Sequence, residues 1–151
     1  MRHYFDPDLV EILAYCLMPT HYHLAVRLRT DALGARVMQP FTVSYTKAVN
    51  KQQGRTGSLF QGPFQAVLVD RDEYLVHLSR YIHLNPVVGG LAVRPEEWVF
   101  SSYREYVGLR EGTLPVPDVV LSQFDSRESY QAFVEECRPE DDELIEELLM
   151  D

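Results

Sequence analysis

Two histidines stand one residue apart in the run LMPTHYHLAV, residues 17–26, although the whole chain of 151 residues holds only 5. On a β-strand, positions i and i+2 share a face. His21 and His23 would then project side by side, with Tyr22 on the opposite face. Two imidazoles held on a rigid strand can ligate one divalent cation. The apolar flanks would fix the rings and keep competing water away. Taken alone, such a pair is also a common arrangement of surface or core histidines.

The second group lies in LSRYIHLNPV, residues 78–87. Tyr81 and Asn85 are four apart, so on a helix they share a face one turn from each other, with His77 one turn earlier. The Asn85 amide oxygen is a third donor of the kind that suits Mg²⁺ or Mn²⁺. Tyr81 would bring a phenol oxygen beside that cation. A phenol in water keeps its proton up to pH ~10, and a nearby cation favours the phenolate. A tyrosine packed at a helix interface and an asparagine before a proline are the ordinary alternatives.

Specific elements must position these side chains. Residues 12–18 read as a buried strand, Pro19-Thr20 as a break, and residues 21–28 as a second strand, together a hairpin. Residues 31–50 read as a helix, with Val37, Phe41, Tyr45 and Val49 on one stripe and Pro40 as its start or a kink. Residues 53–57 form a basic loop with two glycines. Residues 64–69, FQAVLV, predict a third strand. Asp70 with Glu73 reads as a capping box opening the next helix. That helix should stop near Asn85, because the residue before a proline disfavours helical geometry. Gly89-Gly90 predicts a turn. Residues 98–106 are aromatic-rich and should pack back on the core. Pro115 and Pro117 mark a linker, and residues 126–137 and 140–150 read as short acidic helices. The order strand, strand, helix, strand, helix points to an α+β fold with an antiparallel sheet.

Charge is distributed unevenly. The net charge is −9. From Asp118 onward there are 12 acidic residues against two basic ones, while the first 117 residues carry 11 acidic and 12 basic. Residues 32–69 contain no acid but do contain Arg36, Lys47, Lys51 and Arg55. Polyanion binding depends on local basic surface, and these four are candidate DNA contacts; scattered charges on a solvated helix would look similar. No apolar run approaches the ~20 residues of a membrane helix, and the start is unlike a signal peptide. Cys16 and Cys137 lie far apart and form no metal-type pair. A reduced, cytoplasmic protein is the expectation.

Taken together, AYCLMPTHYHLAV and LSRYIHLNPV resemble the HUH single-tyrosine transposases, most closely the REP-associated tyrosine transposases and their insertion-sequence-200-like relatives. GSLFQGPFQAVLVDRDEYL between them and EEWVFSSYREYVG after them extend the likeness, in order, over residues 9–108. The resemblance implies a ferredoxin-like antiparallel sheet with helices on one face. It implies His21 and His23 as paired metal ligands, Asn85 as the amide-type ligand and Tyr81 as nucleophile. The cofactor would be Mg or Mn, and the substrate single-stranded DNA beside a hairpin. The site would form within one chain or across a homodimer. Residues 1–112 would be the transposase-like domain and residues 113–151 a linker and acidic helical tail.

The sequence departs from this family in two ways. Relatives open with a strand and a long helix before the hairpin, and here residues 1–7 resemble only the end of that helix. A truncated start is the expectation, leaving a central strand missing and its neighbours' ladder groups exposed. Pro63, Gln65 and Val88 also stand where the family commonly has cations, which weakens phosphate binding. A domain that binds hairpin DNA without cutting it is therefore the second reading. A protein–protein module built on the acidic helices is the third.

Overall fold

The computed structural model describes residues 3–136 and divides them into two compact units. One comprises the residues up to Glu11 with Leu28–Ala66, the other Ile12–Arg27 with the described residues from Val67 onward.

The first unit is built on helix. A π-helical turn, Gly34–Met38, runs directly into α1 (Gln39–Gln53). Pro40 sits in the first turn of α1, where its missing N–H costs nothing. The proline expected as a start or kink thus marks the change from π to α geometry. Gly54 closes α1 in the left-handed conformation (φ 62°), which glycine adopts without strain. Val37, Met38 and Phe41 are buried, and the Phe41 ring meets Phe5 edge-on at 5.3 Å.

The second unit holds the larger core. β1 (Val10–Leu17) and β2 (Tyr22–Leu28) pair as a hairpin, closed by the Met18 N–H donating to the His21 carbonyl at 2.9 Å. Leu13, Ala14 and Cys16 of β1 and Ala25 of β2 pack with Ile82, Tyr103, Tyr106, Val120, Tyr130 and Val134. Those partners come from α2 (Asp72–Val88), α3 (Tyr103–Tyr106), α4 (Asp118–Leu121) and α5 (Arg127–Glu135). The fold is α+β, as its element order implies.

The expected third strand does not form. Residues 64–69 belong to no strand, and the sheet has two. The second edge of β1 is nevertheless closed. Val116 N–H donates to the Ile12 carbonyl at 2.8 Å, Ser102 N–H to Tyr15 at 2.9 Å, and Leu17 N–H to Phe100 at 2.9 Å. Tyr106 Oη donates to the Leu13 carbonyl at 2.8 Å and Trp98 Nε1 to that of Leu17 at 3.0 Å. The polar groups along that edge are therefore satisfied by the aromatic-rich segment after α2 and by the residues around Pro115. That segment packs back as its composition predicts, with Tyr103 and Tyr106 fully buried.

α2 differs from expectation at both ends. It begins at Asp72 behind Arg71, without a side-chain cap, so the Asp70–Glu73 capping box is not made. It also continues through Pro86 to Val88. Only the N–H that Pro86 lacks is lost, and Gly89 N–H closes the end on the Asn85 carbonyl at 2.8 Å. At α5, Ser126 caps the helix by accepting from Ser129 N–H. The helix expected over residues 140–150, and Cys137, lie outside the described residues. No helix among the described residues is long and apolar enough to cross a membrane.

Candidate active site

His21 is the last residue of the hairpin turn and His23 lies just inside β2. Their rings are 4.9 Å apart, edge to face. The i, i+2 spacing therefore does what strand geometry predicts. The His21 ring is oriented from outside, its Nδ1 lying 3.1 Å from the Thr20 hydroxyl, which leaves Nε2 as its other donor atom. His23 is half-buried. Its Nε2 is shielded from solvent and has no hydrogen-bond partner among the described residues. Burial lowers the His23 pKa from the ordinary imidazole range, and the neighbouring His21 adds to this. The Asn85 side chain, able to accept a hydrogen bond from the ring, works in the opposite direction. The net effect favours neutral imidazole, the form with a lone pair to give.

α2 delivers the rest. Tyr81 and Asn85 occupy one face, and the Tyr81 ring meets the His23 ring edge-on at 5.4 Å. The Asn85 amide nitrogen donates to the Tyr81 carbonyl at 3.3 Å, which leaves the amide oxygen as its available donor atom. His21, His23, Tyr81 and Asn85 thus come together in the second unit. His77 does not join them. It turns to α5, where its ring packs on Phe133 at 5.4 Å.

No group of three or more His, Cys, Asp or Glu side chains among the described residues could hold a metal. A cation here would instead rest on two imidazoles and an amide oxygen. The buried, unsatisfied Nε2 of His23 fits such a role, because a polar atom of that kind is costly unless something binds it.

Arg36, Lys47, Lys51 and Arg55 are all exposed and all belong to the first unit. Lys47 and Lys51 stand one turn apart on α1, and Arg55 follows its C-cap, its N–H donating to the Asn50 carbonyl at 3.0 Å.

The family model described as "Transposase IS200 like" matches residues 1–85. The chain belongs to the IS200-like transposase family. The match spans both histidines and Tyr81 and ends on Asn85. Its function is accordingly that of a transposase, a protein that acts on DNA. No curated protein and no solved structure matches it.

One buried group in this transposase escaped reading from the sequence. His83 is fully buried on α2, with Nδ1 2.7 Å from Tyr130 Oη and Nε2 2.8 Å from Ser102 Oγ. Burial pushes its pKa down to about 3. Tyr130 Oη also meets Ser79 Oγ at 3.0 Å, and Ser102 Oγ accepts from Tyr15 N–H at 2.9 Å. This chain ties α2, α5 and β1 together behind the Tyr81 face.

Proposed function

We propose that this transposase cuts and rejoins single strands of DNA beside a hairpin, with Tyr81 as the nucleophile. His21, His23 and Asn85 would hold a divalent cation, Mg²⁺ or Mn²⁺, and Arg36, Lys47, Lys51 and Arg55 would contact phosphates. One observation carries the reading: the His23 ring lies 4.9 Å from the His21 ring and 5.4 Å from the Tyr81 ring.

The residues supply what phosphodiester cleavage needs. The Tyr81 phenol oxygen forms a bond to phosphorus as the bond from phosphorus to the 3′-oxygen breaks. The products are a 5′-phosphotyrosine and a 3′-oxygen that takes up a proton to become a free 3′-hydroxyl, balancing the proton that the phenol gives up. The phosphotyrosine keeps the energy of the broken bond, so a 3′-hydroxyl from another strand can reverse the step and join DNA without ATP. When bound, the cation supplies neutralisation of the charge that builds on the scissile phosphate. His23, whose pKa burial lowers, and His21, oriented by Thr20, offer their ring nitrogens. Asn85 adds an oxygen donor without a negative charge, so it does not raise the cost of a phenolate at Tyr81.

The test is a covalent one. Hairpin DNA with a 5′ single-stranded flank and a label at its 3′ end, incubated with Mn²⁺ and the whole chain, should yield a labelled protein–DNA adduct that survives denaturation. Tyr81→Phe should yield none. DNA retained by the wild type, unchanged in His21→Ala, with no adduct from any protein, would replace cutting with binding alone.

A further inference from the structure

Phe100 is the most exposed aromatic side chain among the described residues, at 56% of its full accessibility. A lone exposed apolar residue needs no explanation. What sets Phe100 apart is how firmly its backbone is held. Its carbonyl accepts from Leu17 N–H at 2.9 Å. The carbonyls on either side, of Val99 and Ser101, both accept from the Arg110 guanidinium, at 2.8 and 2.6 Å. Ser101 and Ser102, which follow, are fully buried. The Phe100 ring rests edge-on against Trp98 at 5.6 Å, and Trp98 is itself pinned to the Leu17 carbonyl at 3.0 Å. The ring is therefore presented to solvent with little freedom left to lose on binding.

Its place in the fold is equally specific. Cys16 bridges to Ser101, so Phe100 borders the end of β1 on the edge opposite β2. The turn that carries His21 begins at that same end. Two strand spacings, roughly 10 Å, separate the Phe100 backbone from that of β2. Arg110, which holds this segment, is itself paired with Glu105, so its charge is met within the protein and its role here is to fix the backbone.

We propose that Phe100 is a stacking platform for an unpaired base of the DNA strand. A flat, pre-ordered aromatic surface matches a nucleobase, and every base offers a π-face to such a ring. The proposal rests on the reading that unpaired DNA runs past Tyr81, and it places a second contact for that strand beyond the 1–85 span that defines the family match.

The chain has a single tryptophan, so emission from Trp98 reports directly on its neighbour Phe100. The experiment uses whole Tyr81→Phe protein, which cannot cut, titrated with short oligo(dT). Binding is followed by anisotropy of the labelled oligonucleotide and by Trp98 emission. The emission should change along the binding curve and stay flat with a blunt duplex. Phe100→Leu, which keeps apolar bulk without a π-face, should weaken binding about 5- to 100-fold, and Phe100→Tyr should stay within about twofold. Oligo(dT) bound with unchanged Trp98 emission overturns the proposal even if Phe100→Leu fails to fold. So does Phe100→Leu binding as tightly as its parent, Phe100→Tyr weakening as much as Phe100→Leu, or no binding at all. Failure of the cutting mechanism looks different: wild-type protein forms no adduct with hairpin DNA while the Trp98 response persists.

Discussion

The Tyr81 ring meets the His23 ring edge-on at 5.4 Å, so one aromatic contact serves both packing and the placing of a hydroxyl. The two roles separate by mutation. Tyr81→Phe keeps the ring contact and removes only the oxygen. Its stability should stay within about 0.5 kcal/mol of wild type by chemical denaturation, with adduct formation abolished. Tyr81→Ala should lose both, because it also empties a half-buried aromatic site. If Tyr81→Phe retained adduct formation, another residue would be the nucleophile.

Asn85 is set apart from its neighbours by how its amide is used. Its amide nitrogen is committed to the Tyr81 carbonyl at 3.3 Å, so the oxygen is what a cation would meet. Partners that only support a ligand are worth about 10- to 100-fold in metal affinity. Asn85→Ala should therefore weaken Mn²⁺ binding, measured by calorimetry or electron paramagnetic resonance, by about tenfold or more. Asn85→Asp should tighten Mn²⁺ and still slow cleavage, since a carboxylate beside Tyr81 disfavours its phenolate. Equal Mn²⁺ affinity in wild type and Asn85→Ala would remove Asn85 from the ligand set.

Much of this site was legible because it rests on local geometry. A spacing of two on a strand and of four on a helix fixes faces whatever else the chain does, and His21, His23, Tyr81 and Asn85 obeyed it. What depended on partners was not legible. FQAVLV has the composition of a strand, yet strand formation is decided by an available ladder edge. The free edge of β1 is closed instead by residues around Ser101 and Pro115, which carry little strand signal. Pro86 misled for a related reason. A proline in the last turn forfeits one hydrogen bond, a loss that the buried packing of Ile82, His83 and Pro86 offsets. His83 was invisible as a structural group, because its role depends on Tyr130 and Ser102, 47 and 19 residues away.

His83 should also make this transposase acid-sensitive. Its pKa is pushed down to about 3 in the fold by burial, against an ordinary value of about 6.5 in the unfolded chain. Between those values the unfolded state binds the proton and the folded state does not. The stability is thus fully present above about pH 6.5 and is lost as pH falls toward 3. The limiting slope is about 1.4 kcal/mol per pH unit for one proton. Denaturant midpoints measured from pH 7 to 4 should fall accordingly. His83→Gln should start less stable at pH 7 and show a shallower decline. A decline equally steep in His83→Gln would assign the acid sensitivity to other groups.

Ser102 offers the sharpest test of how β1 is sealed. Its hydroxyl accepts from Tyr15 N–H at 2.9 Å and lies 2.8 Å from His83 Nε2, with Ser102 fully buried. Ser102→Ala deletes one oxygen, leaves no new charge and barely changes volume, so packing alone predicts almost no effect. Hydrogen bonding predicts otherwise. The Tyr15 N–H and one ring nitrogen of His83 would both lose their partner in a site closed to water, and each orphaned group costs about 1–3 kcal/mol. A total loss of about 2–6 kcal/mol by chemical denaturation is expected, large against the 5–15 kcal/mol of a typical domain. Amide exchange should localise it, with the Tyr15 N–H losing protection before the β1–β2 ladder does. Ser102→Ala within about 0.5 kcal/mol of wild type would mean that the edge of β1 is held by Val116, Tyr106 and Trp98 without it.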